Sequence, residues 1–142
     1  MKPLSEQLEE LAQHAKKVEE SAAAAQARNQ AELERRHKQL ESAIKSTGQK
    51  FEAFSAKAEE NIRSGWAGIK RQIDQRVEAA RKEHEKRGAE RDAKRAENQA
   101  QDAEENAAYA IALAVYTIDQ AESAVVDAAL ARVHADELRT AA

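Results

Sequence analysis

The chain has 142 residues, of which 33 are alanine and 35% are charged, and its formal net charge is only −3. Large side chains are scarce, with one Trp, two Phe, two Tyr and one Met. Because alanine buries little beyond its own methyl group, such a chain cannot fill a thick interior, although it can form thin contacts between helices. One proline and four glycines interrupt a sequence of strong helix formers. The composition therefore excludes sheet architectures and predicts an all-α fold.

Several absences narrow the possible functions. The chain has no cysteine, which excludes disulfides, thiolate metal sites and cysteine nucleophiles. Its 23 basic and 26 acidic residues do not produce the strongly basic surface of a nucleic-acid binder. The N-terminal residues lack the apolar core of a signal peptide, and no apolar run reaches transmembrane length. We expect a cytoplasmic protein with no nucleic-acid partner and no transmembrane segment.

Apolar residues recur at steps of three and four residues through the first half of the chain, which is typical of a coiled coil. This stripe runs from Leu4 to Val77 and includes Leu40, Phe54 and Trp66. The phase of the stripe does not change at Gly48 or Gly65. Periodicity alone therefore predicts long helices without locating the turn between them.

Two polar blocks, residues 26–39 and 94–107, favour one long antiparallel hairpin. The first carries a surplus of two positive charges and the second a surplus of two negative charges. They lie opposite each other if the chain folds back at 64–68, where Ser64, Gly65 and Gly68 have the chemistry of a turn. We predict a single helical domain over 1–142, with a first arm 3–63, a turn 64–68 and a second arm 69–139.

Two other glycines offer an alternative to this hairpin. Gly48 follows Ser46 and Thr47 in a pattern that resembles a helix N-terminus, and Gly88 lies where the apolar stripe changes phase. Turns near Gly48 and Gly88 would divide the chain into a shorter three-helix bundle.

The second arm combines a charged part, 81–106, with an apolar segment, 107–135. In the charged part, Glu83 with Arg87 and Glu90 with Lys94 have the spacing of helical ion pairs. The apolar segment carries large side chains on almost every side, so that one neighbouring helix cannot cover it. We expect two or more hairpins to assemble into a multi-helix bundle through this segment. The predicted oligomer interface comprises Ile111, Val115, Tyr116, Ile118, Val125, Val126 and Leu130.

One carboxylate within the apolar segment, Glu122, suggests a metal or ligand site. The hairpin would place Glu10 and His14 near Asp119 and Glu122. The alternative is that Glu122 is satisfied by neighbouring polar groups or specifies the register of the helices. The chain lacks the full pattern of a dinuclear carboxylate bundle, since it has a single Glu-x-x-His tetrad, Glu34 to His37. We therefore predict no metal and no cofactor, with these four residues as the only candidate ligands.

The C-terminal segment resembles the end of a group of small, alanine-rich, wholly helical bacterial proteins. The similarity rests on Ala110-Ile111, Ala114, Ile118, Ala121-Glu122, Ala124-Val125, Asp127-Ala128, Leu130-Ala131-Arg132 and Ala135-Asp136-Glu137-Leu138. In that group too, a charged helix precedes the apolar segment and a Trp lies near mid-chain, as Trp66 does here. The resemblance implies a wholly helical fold and a bacterial cytoplasmic location, and it transfers no functional site.

These patterns predict a non-enzymatic, oligomeric helical protein with a structural, scaffolding or protein-interaction role. No nucleophile elbow and no glycine-rich phosphate loop is present in the sequence to support catalysis. One alternative is a helical bundle that binds a metal or an apolar ligand. Another is a stress-related or membrane-surface amphipathic protein, since low hydropathy with many Ala, Lys, Glu and Gln residues also suits chains that fold on lipid or on drying.

Overall fold

The computed structural model describes residues 3–141, and the prediction of an all-α fold is confirmed. Within that range the chain forms four helices and no strand: α1 (Leu4–Gln26), α2 (Gln30–Ala56), α3 (Glu60–Ala89) and α4 (Ala93–Ala141). The longest, α4, has 49 residues. At 1.5 Å per residue it is about 73 Å long.

The chain divides into two compact units, where the sequence predicted a single domain. One unit ends at Gly68 and contains α1, α2 and the start of α3. The other begins at Ile69 and contains the rest of α3 and all of α4. No described residue in either unit is fully buried, which agrees with the scarcity of large side chains.

The predicted turn at 64–68 is not present, because these residues lie inside α3. The Ser64 hydroxyl donates to the carbonyl of Asn61 one turn earlier, at 3.2 Å, which is compatible with a helical backbone. No glycine in the described range has a positive φ. A glycine inside a helix costs about 1 kcal/mol relative to alanine but does not by itself end the helix. Gly48 is likewise inside α2, whereas Gly88 lies one residue before the end of α3.

The predicted arms are therefore each interrupted. The chain leaves helical geometry at 27–29 and 57–59, within the predicted first arm 3–63. It does so again at 90–92, within the predicted second arm 69–139 and its charged part 81–106. No glycine lies in these breaks, and side-chain caps occur at two of them, 27–29 and 90–92.

Replacing Gly65 with Ala tests the continuity of α3. Nothing lies within 4 Å of the position that the new Cβ would occupy. In a helix, the substitution should raise the free energy of unfolding by about 0.5–1 kcal/mol. Urea unfolding followed by circular dichroism measures this change, and Gly48→Ala in α2 should behave in the same way. A lower stability of Gly65→Ala with a normal Gly48→Ala would show that a turn exists at 65 after all.

A compact corner joins α1 to α2. The backbone N–H groups of Arg28 and Asn29 donate to the carbonyls of Ala25 and Ala24, at 3.1 and 3.2 Å. This pair of bonds is the Schellman arrangement, which places the residue after the helix in the left-handed region. Arg28 occupies that position with φ 51°, although glycine is the usual residue there.

The same corner starts the next helix. Asn29 has extended backbone angles, and its side-chain oxygen accepts the N–H of Glu32 at 3.2 Å, which makes it the N-cap of α2. Across the corner, the half-buried Arg36 donates through Nε to the Ser21 hydroxyl at 3.3 Å. The polar block 26–39 thus contains a helix boundary, so it is not one side of a continuous seam.

Two carboxylates organise the break between α3 and α4. Glu90 Oε1 accepts the backbone N–H groups of Arg91 and Asp92, at 3.1 and 2.9 Å. Asp92 Oδ1 accepts those of Lys94 and Arg95, at 2.9 and 3.2 Å, and so caps the N-terminus of α4. The prediction that Glu90 and Lys94 form an ion pair along one helix is wrong. Glu90 precedes α4, and its carboxylate accepts hydrogen bonds from the connecting backbone.

Asp92 is therefore expected to stabilise the first turn of α4. Asp92→Ala removes the acceptor of two N–H groups and a negative charge near the positive end of the helix dipole, and it should cost about 1 kcal/mol. Asp92→Asn keeps an acceptor and should recover most of that loss. Hydrogen exchange of the amides of residues 94–96 measures the fraying directly. Equal exchange in the Ala variant and the native protein would contradict the cap.

Candidate interaction surface

The apolar side chains of α4 are exposed along the helix. Tyr109 is 71% exposed and Ile111 65%, and near the other end of the segment Leu130 is 64% exposed. An Ile, Leu or Tyr that stays in water forgoes about 1.5–3 kcal/mol of burial. Contiguous exposed apolar surface on a folded protein marks a site of interaction.

All seven residues of the predicted interface lie on α4, within a single unit. Six of them are exposed and Val125 is half-buried. They do not share one face, because at 100° per residue Ile111, Ile118 and Val125 form one row while Tyr116 and Leu130 lie on another. The segment 107–135 is thus apolar on more than one side, and its role as an oligomer interface stays a prediction.

The four candidate metal ligands are not brought together within either unit. Glu10 and His14 lie on α1, and Asp119 and Glu122 lie on α4, all of them exposed. Over residues 3–141, no group of three or more His, Asp or Glu side chains could hold a metal ion. Glu122 was conspicuous in the sequence because burying an unpaired carboxylate is costly. The Glu122 side chain is exposed in this chain, so this cost does not arise.

The charged part of α3 forms ion pairs within the helix. Arg81 contacts Glu78 at 2.6 Å and Glu85 at 3.0 Å, and Lys86 contacts Glu83 at 3.7 Å. Glu83 thus pairs three residues along the helix, with Lys86, rather than with Arg87 as its spacing suggested. A shallow depression here is lined by Ala79, Lys82, Glu83, Glu85 and Lys86. Since all of these belong to α3, it is a groove between side chains of one helix.

Arg81 also changes the acidity of Glu78. The hydrogen bond from Arg81, together with the charges of Arg81 and Lys82, lowers the pKa of Glu78 below its ordinary value, against a smaller opposing effect of desolvation. A lowered pKa means that the pair stabilises the helix above the pKa of an unfolded Glu and loses this effect as the pH falls through the folded value. The carboxyl group is exposed, so the contribution to stability is small.

The direction of this shift can be measured. Carboxyl carbon chemical shifts followed during an acid titration should give a lower pKa for Glu78 than for an unpaired Glu. In Arg81→Gln the pKa of Glu78 should move back toward its ordinary value. Lys86→Gln is a matched control on the same helix, and it should leave Glu78 unchanged. An unchanged Glu78 titration in Arg81→Gln would contradict the pair.

A row of alanines runs along the whole of α4. Starting at Ala93, steps of three and four residues meet only alanine as far as Ala135, except for Thr117. We call this row the alanine seam: Ala93, Ala96, Ala100, Ala103, Ala107, Ala110, Ala114, Thr117, Ala121, Ala124, Ala128, Ala131 and Ala135. The Thr117 hydroxyl donates to the Leu113 carbonyl of its own helix at 2.8 Å, so it needs no partner across the seam.

The large apolar residues of α4 do not indicate the alanine seam, which is why their pattern alone did not predict it. The large apolar residues lie outside the seam. They form an apolar stripe that Glu122 interrupts with a charge. Counting small residues at heptad spacing would have found the seam, since steps of three and four are the signature of a helix contact whatever the size of the side chain.

No helix in residues 3–141 has an apolar stretch long enough to cross a bilayer. Comparison with protein-family models, with curated proteins and with solved structures finds no match to this chain.

Proposed function

We propose that this is a non-enzymatic helical protein that self-associates through α4 and has a structural or scaffolding role. The observation that carries the proposal is the exposure of the apolar segment 107–135, where Ile111, Tyr116 and Leu130 are each more than 60% exposed. Burial of apolar surface is the main driving force of protein association. Covering this exposed apolar surface with another helix would therefore stabilise the protein.

One further observation supports a structural role. The charged surface of α3 uses its side chains in ion pairs within the helix, as solvent-exposed helix faces do.

Light scattering coupled to size-exclusion chromatography tests the proposal. Over a concentration series in the micromolar range, we expect a dimer or a larger assembly, with circular dichroism showing high helicity and a cooperative melt. The apparent melting temperature should rise with concentration, because association stabilises the folded state. A helical monomer at every concentration, with an unchanged melting temperature, would overturn the proposal.

Native mass spectrometry of the untagged protein separates this role from ligand binding. We expect masses that are integer multiples of the chain alone. A retained metal ion or an organic ligand in every species would instead support a binding bundle.

A further inference from the structure

We infer that the partner of α4 is the α4 helix of a second copy, in antiparallel orientation and in one register. This inference rests on the proposed function, and it specifies which surface associates and how. The alanine seam supplies the surface, since small residues at heptad spacing let two helix backbones approach closely. A row of alanines alone does not identify what covers it, and the identification comes from the residues beside the seam.

One row beside the seam is self-complementary when it is reversed. Its members are seven residues apart, and the first six each follow a seam residue by one position; we call them the flanking row: Glu97, Glu104, Ile111, Ile118, Val125, Arg132 and Arg139. It begins with two acids, continues with three aliphatic residues and ends with two arginines. All seven lie on the continuous helix α4. In the proposed pair a left-handed supercoil keeps residues at heptad spacing on the side that faces the partner.

In an antiparallel pair, equivalent flanking rows of the two copies face each other. If Ile118 lies opposite its own copy, Ile111 faces Val125, Glu104 faces Arg132 and Glu97 faces Arg139. Each charged pair occurs twice because of the two-fold symmetry, which gives four opposite-charge contacts around an aliphatic centre. A shift by one heptad in either direction keeps only one of the two Glu–Arg pairings, Glu97 with Arg132 or Glu104 with Arg139, and places a charged residue against an aliphatic one. The charges therefore favour one register.

This register also suits the seam itself. Ala107 then faces Ala131, Ala110 faces Ala128, and Ala114 faces Ala124, so that most layers of the contact are alanine against alanine. On the far side of the seam the corresponding row is mostly polar: Gln99, Asn106, Leu113, Gln120, Asp127 and His134. In this register Gln120 faces its own copy and Asn106 faces His134, as at the polar rim of an interface.

A parallel pair does not satisfy the same residues. It would place the acidic start of one flanking row beside the acidic start of the other, and the arginines beside the arginines. It would also align two long helix dipoles. An unrelated helix has no reason to carry the reverse of this charge order, whereas a second copy always does. The charge order therefore points to self-pairing.

Six of the seven residues of the flanking row are exposed, and Val125 is half-buried. Ile111 is 65% exposed and Ile118 is 44% exposed. The side chain of Arg139 is 77% exposed and bonds to Asp136 at 3.1 Å within its own helix. Glu97 accepts a hydrogen bond from Gln101 at 3.3 Å. Exposed pairs of this kind contribute little, so both groups can be redirected to a partner helix at small cost.

Single cysteines test orientation and register, because the native chain has none. Glu104→Cys and Arg132→Cys chains are mixed, allowed to exchange and treated with a short bis-maleimide. We expect efficient cross-linking between the two different chains and none between two Glu104→Cys chains. In the proposed register the two 104 positions are 28 residues apart along the pair, about 42 Å. Ile118→Cys should cross-link with itself.

Charge reversal provides a second test that does not depend on cross-linking. Glu104→Arg and Arg132→Glu should each weaken self-association about 3- to 30-fold, because two attractive contacts per dimer become repulsive. The double variant restores both contacts and should recover the native dissociation constant. Lys94→Glu with Glu105→Lys changes charges outside the flanking row and serves as the matched control.

Each other outcome has a distinct meaning. Cross-linking between two Glu104→Cys chains would show a parallel pair and overturn the inference. An oligomer by light scattering without any of the expected cross-links, or one whose charge-reversal variants do not restore each other, would overturn the inference and leave the proposed function standing. A monomer at every concentration would overturn both the inference and the proposed function. Both would also be overturned if α4 became helical only on vesicles of anionic phospholipid.

Discussion

Replacing Ile118 with Asp is expected to weaken self-association by at least about 100-fold. In the proposed register Ile118 faces its own copy, so a dimer loses two aliphatic side chains at one point and gains two carboxylates in their place. Each lost side chain corresponds to about 1.5–3 kcal/mol of burial, and the like charges add repulsion. Sedimentation velocity over a dilution series measures the dissociation constant.

Ser123→Asp is the matched control for this experiment. It introduces the same charge on the same helix, but Ser123 lies neither in the alanine seam nor in the flanking row. The control should associate like the native protein and show the same helicity. If both variants dissociate equally, the added negative charge on α4 is sufficient to explain the loss of association. No specific contact at Ile118 is then needed.

The fold class could be predicted from the sequence because it depends on composition. A chain of helix formers with one proline has few stable alternatives to helices, and the structure bears this out. Where those helices end is a different question. It depends on individual hydrogen bonds to backbone groups, each about 1 kcal/mol, so several positions compete closely.

The helix breaks illustrate this competition. Gly65 and Gly68 attracted attention because glycine is common in turns, yet α3 continues through them. Two of the three breaks, at 27–29 and 90–92, contain Asn29 and Asp92 as caps, and the first also contains Arg28 in a left-handed conformation. A search for Asn or Asp before a helical pattern would have found both caps, whereas arginine carries no signal for positive φ.

The candidate surface was predicted in part, for a related reason. Large apolar residues located it in the segment 107–135, since they carry most of the energy of burial. The geometry of a helix contact is set by the residues between the two backbones, which in the proposed pair are alanines. Hydrophobicity alone does not indicate alanine positions. For this reason the predicted interface included Val115, Tyr116 and Leu130 together with Ile111, Ile118 and Val125, without distinguishing the two sets.

Because the proposed contact consists of alanines, a larger apolar residue in the alanine seam is expected to weaken self-association. In most coiled coils, leucine at a seam position strengthens association because it buries more surface. In the proposed register Ala114 faces Ala124 of the second copy, and a leucine at 114 would force the backbones apart along the neighbouring layers. Overpacking of this kind costs about 1–3 kcal/mol per site, and a dimer contains two such sites. We expect Ala114→Leu to raise the dissociation constant about 30-fold or more.

Ala112→Leu separates this effect from a general effect of leucine. Ala112 lies on the side of α4 away from the seam, and alanine and leucine have similar helix propensities. Its dissociation constant should stay within about threefold of the native value, a difference below 0.7 kcal/mol. Tighter association of Ala114→Leu than of Ala112→Leu would mean that the facing backbones leave room for a large side chain. In that case the helices meet through the large apolar residues, with the alanines on the periphery.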